Sequence, residues 1–497
     1  MSCKRRVLII DLEYTRDEIN EPVNIDTIMD AFDSTVQSHI DFDLWYRTMG
    51  DLTPHSAENY DAVLISTKVS AGEVLRQMLD CYRHNTVIVG GVIATYAYDE
   101  LLSLYPNVIL SLGECENNLN AILSLLLKTK DLNEIKAALI EKKTQGVAFI
   151  KDGARYISPI KPFELSRVTK PLSHRTLEKT LAHNGLVRIE GSRGCPWNQC
   201  AFCSVAHKYG AAWRAFPVER TLAEIVFLAK AGAKNLYFTD EDFFGNLEHF
   251  TALFSAVKAL KDTGEIPSDT AFWGSTSVYT LLRFGEHLDE SLALAKAVGI
   301  SVLFLGIESG AKEQLKRYRK GVTKEENLLI LQKLKTAGIA VDVGFIMFDA
   351  ETTLDEVEEN LDFCIQSGLS ETVSRLAKPL RVIPHTAICE EYRKKGLLLP
   401  MPEIGELNHG YRFTDPKVKA LYESLQKLDE AILESANRIQ AEIRMSGGYA
   451  DSARIEKLLS LRRVEYRFIR SFLDALKDRE PDDEILASLL ASYLQVL

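Results

Sequence analysis

The chain has 497 residues, 46% of them hydrophobic, and a formal net charge of −11. This length exceeds what one hydrophobic core organises, so two or three domains are expected, and no apolar run approaches the roughly 18 residues of a membrane span. The acidic balance disfavours a nucleic-acid partner, whose phosphates attract basic surfaces. Eight cysteines do not indicate a disulfide framework at this length, and the first residues lack a signal-peptide pattern, so a reducing, cytoplasmic location is expected.

Residues 1 to 125 are predicted to form a flavodoxin-like parallel α/β sheet. Short apolar runs typical of buried strands alternate with helical segments such as Ala71 to Arg83. The strands are expected at Val7 to Asp11, Ala62 to Ser66, Val87 to Gly91 and Val108 to Gly113. Ligands of such sheets bind beyond the carboxyl ends of the strands, where glycines let the backbone approach a bulky ligand. The residues at those ends are Ser66-Thr67, Gly90-Gly91 and Gly113-Glu114.

Residues 126 to 185 are predicted to be a connector with a helix, a short hairpin and a linker. The hairpin is expected at Gly146 to Ile150 and Ala154 to Ile157. From residue 186 to residue 400, six βα units follow one another, too few for a closed eight-unit barrel. A partial (βα)6 barrel is therefore expected, with its last strand at Val373 to Val382. Residues 401 to 497 predict a helical C-terminal region.

Polar residues follow several of the predicted barrel strands. In barrels of this kind the active site lies at the carboxyl ends of the strands. The polar residues at those ends are Asp240, Ser275, Glu308 and Asp349. Each of them also fits a helix cap or a loop position, so position alone does not make any of them a ligand.

Three cysteines lie close together on one predicted loop. Cys195, Cys200 and Cys203 have the spacing C-x4-C-x2-C, which allows three thiolates to bind one ion or cluster jointly. A structural zinc site needs four ligands, and the only nearby candidate for the fourth is His207. A 4Fe–4S cluster on three cysteines instead keeps one iron open for another ligand. The alternatives are a zinc knuckle or three unrelated cysteines.

This loop resembles the cluster motif of the radical S-adenosylmethionine (SAM) superfamily, with one residue more than the usual C-x3-C-x2-C spacing. The aromatic Phe202 before the last cysteine matches, as does the lead-in Arg193-Gly194-Cys195-Pro196, which occurs in the branch with a preceding cobalamin-binding-type domain. The resemblance implies a 4Fe–4S cluster on the three cysteines, with SAM on its open iron. Reductive cleavage of SAM would give methionine and a 5′-deoxyadenosyl radical.

The same resemblance implies SAM contacts in the core. Residues Gly306 to Thr323 are similar to the family's fourth-strand segment, whose glutamate binds SAM, and Thr239 to Asn246 are similar to its second-strand segment. A carboxylate suits the amino group or the ribose hydroxyls of SAM. The implied SAM-binding residues are Phe202, Asp240, Ser275, Glu308 and Ser309. At the fifth strand, Asp349-Ala350 replaces the usual glycine and proline, so adenine contacts are not carried over.

The N-terminal region is similar to the cobalamin-binding domain that precedes many radical SAM cores. The matching segments are D-A-V-L-I-S at Asp61 to Ser66, V-G-G-x-x-A-T at Val89 to Thr95 and G-E-x-E at Gly113 to Glu116. The implied cobalamin contacts are Ser66, Gly90, Gly91, Thr95 and Gly113. The D-x-H-x-x-G motif that supplies an axial histidine elsewhere is absent. The alternative is a domain that keeps this fold without the cofactor.

Together these features predict a radical SAM enzyme that functionalises a C–H bond of a small-molecule substrate, with cobalamin-dependent methyl transfer as the outcome. A flavodoxin or ferredoxin is implied as the electron donor, and no membrane or nucleic-acid partner is expected. One alternative is non-methylating radical chemistry, such as rearrangement, sulfur insertion or aminocarboxypropyl transfer, with a structural corrin domain. Another is a non-enzymatic iron–sulfur or zinc protein. The sequence identifies no general acid or base and no substrate.

Overall fold

Two β-sheets organise the chain, one within residues 5–157 and one within residues 187–345. The structure is a computed structural model. It describes residues 4–12, 20–46, 56–69, 71–210, 213–371, 377–401, 404–445, 452–477, 479 and 483–494.

The N-terminal sheet has seven strands. They are β1 (Arg5–Asp11), β2 (Ile40–Tyr46), β3 (Ala62–Thr67), β4 (Thr86–Gly91), β5 (Ile109–Ser111), β6 (Val147–Lys151) and β7 (Ala154–Ile157). Their order is β2-β1-β3-β4-β5-β6-β7, and the first five are parallel in the order of flavodoxin-like folds. Strands β1 and β3 are buried over most of their length, as their unbroken apolar sequences predict. The predicted parallel α/β sheet is thus confirmed.

Helices cover both faces of this sheet. They are α1 (Val23–Asp30), α2 (Ser34–His39), α3 (Gly72–Cys81), α4 (Val92–Tyr96), α5 (Tyr98–Leu104), α6 (Leu119–Leu126) and α7 (Leu132–Glu141). Two separate clusters of buried side chains result, one on each side of the strands.

The N-terminal sheet differs from the sequence prediction at both edges. Strand β2 is missing from the prediction, because its sequence I-D-F-D-L-W-Y alternates acidic and apolar residues, as suits an edge strand with one solvated face. The predicted hairpin is present as β6 and β7, but β6 pairs antiparallel with β5. The sheet therefore continues to Ile157, past the predicted boundary at residue 125.

The second sheet forms the core of the chain. The remaining strands are β8 (Val187–Ile189), β9 (Ser192–Arg193), β10 (Arg214–Ala215), β11 (Asn235–Phe238), β12 (Ala271–Ser277), β13 (Ile300–Glu308) and β14 (Ala340–Phe345). Five of them are parallel in the order β14-β13-β12-β11-β8, which is the chain order of a βα barrel. The predicted parallel core is confirmed.

The sixth predicted strand is shorter than expected. Within the described residues its place beside β14 holds only a parallel bridge between Phe348 and Pro379. Residues 373–376, where that strand was predicted to begin, lie outside the described part of the chain. The helices around the core are α8 (Leu177–Ala182), α9 (Val205–Tyr209), α10 (Val218–Lys230), α11 (Leu247–Asp262), α12 (Val278–Leu282), α13 (Leu288–Ala297), α14 (Lys312–Arg317), α15 (Lys324–Thr336), α16 (Leu354–Ser367) and α17 (Ala387–Lys394).

Three helices follow the core and pack against one another, and the second of them packs against α16. They are α18 (Pro416–Met445), α19 (Ser452–Leu476) and α20 (Asp483–Leu494). The Tyr466 hydroxyl of α19 donates to the Leu361 carbonyl at 3.0 Å, and Arg470 pairs with Asp362 at 2.9 Å. The predicted helical C-terminal region is therefore confirmed. Among the described helices, none has the length and apolar character needed to span a membrane.

A buried charged cluster joins the N-terminal region to the core. The Nδ1 atom of His174 lies 2.8 Å from Glu21, its Nε2 atom lies 3.3 Å from Glu224, and all three side chains are fully buried. Burial alone lowers the pKa of His174, but the bonds and charges of both carboxylates outweigh it and raise the pKa to about 10. His174 is therefore a cation at neutral pH and compensates two buried carboxylates.

Loss of the positive charge of His174 should make the fold less stable at alkaline pH. Because the pKa of His174 rises from 6.5 to about 10 on folding, its contribution is complete below pH 6.5 and is lost as the pH approaches 10. We expect the urea midpoint of the protein to fall across this interval. The variant His174→Gln should be less stable at neutral pH and should show a flatter pH dependence; parallel curves would contradict the assignment.

Candidate active site

The cysteine loop is closed at its base by a short antiparallel ladder. Strand β9 pairs with β10, with Arg193 opposite Arg214, so the residues between them form one loop that carries all three cysteines. The lead-in to the loop is fixed by Asp240, which accepts hydrogen bonds from the Gly191 amide at 2.9 Å and from the Ser192 hydroxyl. Asp240 is buried. In the structure, the side chain of this predicted SAM contact, Asp240, therefore fixes the backbone before the cysteine loop.

The three thiols lie in a partly buried setting. Burial raises the pKa of all three, to about 11 for Cys200 and to about 12 for Cys203, and the nearby Lys320 opposes this rise. The thiols therefore keep their protons at neutral pH until a metal displaces them. Among the residues described, no three His, Cys, Asp or Glu side chains converge as ligands of a single metal ion would.

A buried ion pair lies beside the cysteines. The Nζ atom of Lys320 is 3.2 Å from Glu308, and both side chains are largely buried. Burial alone lowers the pKa of Lys320, but the charge of Glu308 and of the cysteines outweighs it and raises that pKa. A side chain at Gly306 would collide with this pair, since a Cβ there would lie 2.8 Å from the Glu308 carboxylate. The glycine therefore makes room for Glu308 above the strand.

Lys320 was missed at the sequence level. It lies twelve residues after Glu308, inside the stretch Gly306 to Thr323 that carries the resemblance, but nothing in its own sequence position marks it as buried. The turn after α14 brings it back over β13. Its charge reaches Cys195, Cys200 and Cys203.

The other predicted SAM contacts occupy different settings. The Ser309 hydroxyl is fully buried and lies 2.6 Å from the Gln314 side-chain oxygen and 2.9 Å from that of Asn360, so it holds the turn after β13. Phe202 packs edge-on against Tyr318, with ring centroids 5.5 Å apart. Ser275 is half-buried at the end of β12, where its carbonyl accepts from the Phe243 amide. These SAM contacts stay predictions.

A second carboxylate lies close to the cysteines. Asp242, two residues after Asp240, accepts hydrogen bonds from three hydroxyl groups. The donors are Thr276 at 2.9 Å, Ser277 at 3.0 Å and Thr280 at 2.6 Å. Burial raises the pKa of Asp242 to about 6, although these hydrogen bonds oppose the rise. Its charge acts on Cys195. Asp240 was selected from the run Asp240-Glu241-Asp242 in the sequence analysis, and nothing in the sequence indicates that the charge of Asp242 acts on Cys195.

A cavity of about 420 Å³ lies between the N-terminal sheet and the core. All five residues predicted to contact cobalamin line it: Ser66, Gly90, Gly91, Thr95 and Gly113. The core contributes side chains from the opposite wall, and these include Arg188, Glu190, Arg193, Tyr237 and Glu241. The structure therefore brings the predicted strand ends together at one site beside the cysteine loop.

The cavity wall contains a polar atom without a partner. The Asn24 amide donates to Asp11 at 2.9 Å and to the Ser66 hydroxyl at 2.8 Å, while its own oxygen is buried and accepts no hydrogen bond. A buried acceptor of this kind calls for a donor. The amide side chains of a corrin are such donors, so this acceptor in the wall fits cobalamin. Gly91, which lines the cavity, has φ +87° and packs against the Thr67 backbone, where a Cβ would lie 2.2 Å from the carbonyl oxygen.

Buried ion pairs join the cavity to the cysteine loop. Arg193 lies 2.6 Å from Glu114, 2.8 Å from Glu116 and 2.9 Å from Glu190, and all four side chains are largely buried. Arg214 reaches Glu114 as well, at 3.0 Å. The two glutamates of the G-E-x-E segment thus pair with the arginine that precedes Cys195. Both segments were used in the sequence analysis, but nothing in the sequence indicates that they contact each other.

Aromatic side chains form a second link between the same regions. The Tyr96 hydroxyl at the end of α4 donates to the Ser204 carbonyl at 3.1 Å, directly after Cys203. His207 places its Nε2 atom 3.3 Å from the Thr95 carbonyl, and its ring stacks on His385 with centroids 4.6 Å apart. His207, the candidate fourth ligand of the zinc alternative, therefore contacts Thr95 and His385.

The hydrogen bond of Tyr96 should hold the cysteine loop. We expect Tyr96→Phe to lower the free energy of unfolding by about 1 kcal/mol, the usual value for one lost hydrogen bond, and to weaken iron retention after reconstitution. Urea titration and iron analysis after desalting would measure both effects. Tyr156→Phe is the matched control, because the Tyr156 hydroxyl has no hydrogen bond to any other residue that the structure describes; equal iron loss in both variants would contradict the role of Tyr96.

Comparison with known proteins agrees with this geometry. Residues 189–364, which hold the cysteine loop and the barrel strands up to α16, match the model of the radical SAM superfamily. The match covers this part of the chain, and the resemblance to the superfamily predicted from the cysteine loop is confirmed.

Relatives extend the likeness beyond the core. The 4′-phospho-dehydrooxetanocin synthase of Priestia megaterium is 30% identical over 312 residues, and the match covers 60% of this chain and 39% of that protein's length. The cobalamin-dependent radical SAM enzyme OxsB with aqua-cobalamin and SAM bound shares the fold at TM-score 0.82 and 18% identity, over 99% of this chain and 79% of that one. The radical SAM methyltransferase TsrM of Kitasatospora setae aligns at TM-score 0.69 and 14% identity, over 95% of this chain and 100% of that one.

Proposed function

We propose that this protein cleaves SAM reductively at a 4Fe–4S cluster bound by Cys195, Cys200 and Cys203, and that it functionalises a C–H bond of a small molecule with the help of cobalamin. One observation carries the proposal: the cavity lined by the five predicted cobalamin contacts adjoins the cysteine loop through Arg193. Both reagents would then lie at one substrate.

The residues beside the cysteines suit SAM. SAM carries an ammonium and a carboxylate on one carbon, and Glu308 and Lys320 present the opposite charges 3.2 Å apart. Charge-assisted hydrogen bonds of this kind are short and directional. We infer that Glu308 orients the ammonium and Lys320 the carboxylate.

The protein's part in the reaction is to bind, orient and exclude water. When bound, the cluster and cobalamin supply reductive cleavage and methyl transfer. The chain supplies a largely buried charge pair for SAM, a cavity wall with an open acceptor on Asn24, and an ion-pair link that fixes the two sites. Asp242, whose pKa lies near neutrality at about 6, can hold or release a proton beside Cys195.

Methyl transfer is the outcome that we propose first. TsrM, a methyltransferase by name, shares this fold over 95% of the chain, and its structures include one with cobalamin and a 4Fe–4S cluster. A second candidate is non-methylating radical chemistry, which the 30% identity to a synthase of Priestia megaterium favours. Corrin binding alone does not separate the two, so the product decides.

Anaerobic reconstitution with iron and sulfide tests the proposal. The loaded protein is reduced with SAM, with and without hydroxocobalamin, and 5′-deoxyadenosine is followed by chromatography and corrin by absorbance after desalting. Deoxyadenosine together with retained corrin supports the proposed enzyme. Deoxyadenosine without retained corrin favours a non-methylating enzyme on a structural corrin fold. No deoxyadenosine from a fully loaded cluster contradicts the proposal.

A further inference from the structure

An aromatic pair lies on the cysteine loop itself. Trp197, two residues after Cys195, packs on Tyr279 with ring centroids 4.4 Å apart, and its indole nitrogen donates to the Arg319 carbonyl at 2.8 Å. Gly321 makes room for the indole, because a Cβ there would lie 2.4 Å from the ring. Trp197 and Tyr279 are only half-buried, so this part of the loop reaches the protein surface.

Two exposed arginines flank this pair. The Arg283 guanidinium lies 5.7 Å from the centre of the Tyr279 ring, and the backbone of Arg319 holds Trp197. Arg283 donates to the Tyr279 hydroxyl at 3.4 Å. Among the described residues, neither guanidinium has an ion pair with a carboxylate, although the chain carries 11 more negative than positive charges. The arginine–aromatic patch (Trp197, Tyr279, Arg283 and Arg319) is thus a cationic spot on an acidic protein.

We propose that the arginine–aromatic patch is the docking surface for an acidic one-electron carrier protein. This inference rests on the proposed function, in which each SAM that is reductively cleaved takes up one electron. The carrier is oxidised by one electron and the cluster is reduced by one, so a carrier is needed in every turnover. A cationic patch attracts an acidic partner and orients it, and this patch lies on the loop that holds the cluster ligands.

Charge reversal at the patch tests the proposal. The patch variant carries both Arg283→Glu and Arg319→Glu. The control variant carries both Lys234→Glu and Lys258→Glu, which change the net charge equally at a different surface. A bacterial flavodoxin is the probe. Its binding is measured by fluorescence anisotropy at low salt and at about 0.15 M salt, and the oxidation of its hydroquinone by the loaded protein is followed by stopped-flow absorbance.

At low salt we expect the patch variant to bind flavodoxin at least about tenfold more weakly and to oxidise its hydroquinone at least about tenfold more slowly. Both differences should be smaller at high salt. Arg283→Lys with Arg319→Lys should stay near wild type. Deoxyadenosine formation driven by dithionite, which needs no docking, should be unchanged in the patch variant. Equal losses in both charge-reversal variants, or no loss in either, would overturn the docking surface. Failure of the dithionite reaction in wild type would overturn the proposed function instead, and the binding measurement would still judge the patch.

Discussion

Cys200→Ala is expected to abolish 5′-deoxyadenosine formation and to leave corrin retention intact. Three thiolates hold a 4Fe–4S cluster that keeps one iron open, and the loss of one ligand removes the cluster that SAM must contact. The cavity lining lies on the N-terminal sheet and on core residues other than Cys200. Chromatography of quenched reactions measures the first effect, and absorbance after desalting measures the second.

Cys81→Ala is the matched control for this variant. Cys81 is an exposed thiol at the end of α3, so its loss should change neither measurement. Wild-type levels of deoxyadenosine in Cys200→Ala would mean that the loop is not the cluster site. A parallel loss of corrin would mean that Cys200 also supports the cavity.

Arg193→Met is expected to lower the free energy of unfolding by about 3–5 kcal/mol, the cost of removing one partner from a buried ion pair. The substitution leaves Glu114, Glu116 and Glu190 buried around an apolar side chain. Urea denaturation of the protein before reconstitution measures the effect without interference from the cluster. Corrin retention should fall as well, because the same glutamates line the cavity.

Arg155→Met provides the comparison for a surface pair. Arg155 and Asp99 are both about half exposed, and such pairs contribute about 0–1 kcal/mol. Arg193→Lys should recover part of the lost stability, since it restores the charge without the forked geometry. A cost below about 1 kcal/mol for Arg193→Met would show that the four charges are solvated in solution.

The sequence predicted those parts of the site that are coded locally. The cysteine spacing and the segment around Glu308 carry their chemistry within a few residues, so their positions followed from the motif. The cavity glycines were predicted because parallel strands place their carboxyl ends at one edge. Gly90, Gly91 and Gly113 could therefore be assigned to one site without knowledge of the contacts between them.

The rest of the site depends on contacts between distant segments. Lys320 becomes part of the site only when the turn after α14 folds back over β13. Arg193 and Glu114 are 79 residues apart, and each alone resembles an ordinary surface charge. The edge strand β2 was missed for a different reason: its alternating acidic residues are typical of many exposed segments.

The carboxylate partners of Arg193 bear on when the cluster is inserted during folding. Arg193 stands two residues before the first cysteine, but two of its three carboxylate partners come from the loop after β5 of the other sheet. Tyr96, at the end of α4, donates a hydrogen bond to the cysteine loop. The cysteine loop is therefore assembled from both halves of the chain, and a core expressed without the first 160 residues would lack its supports. Iron and sulfide insertion should accordingly be a late event, which occurs after the two sheets have met.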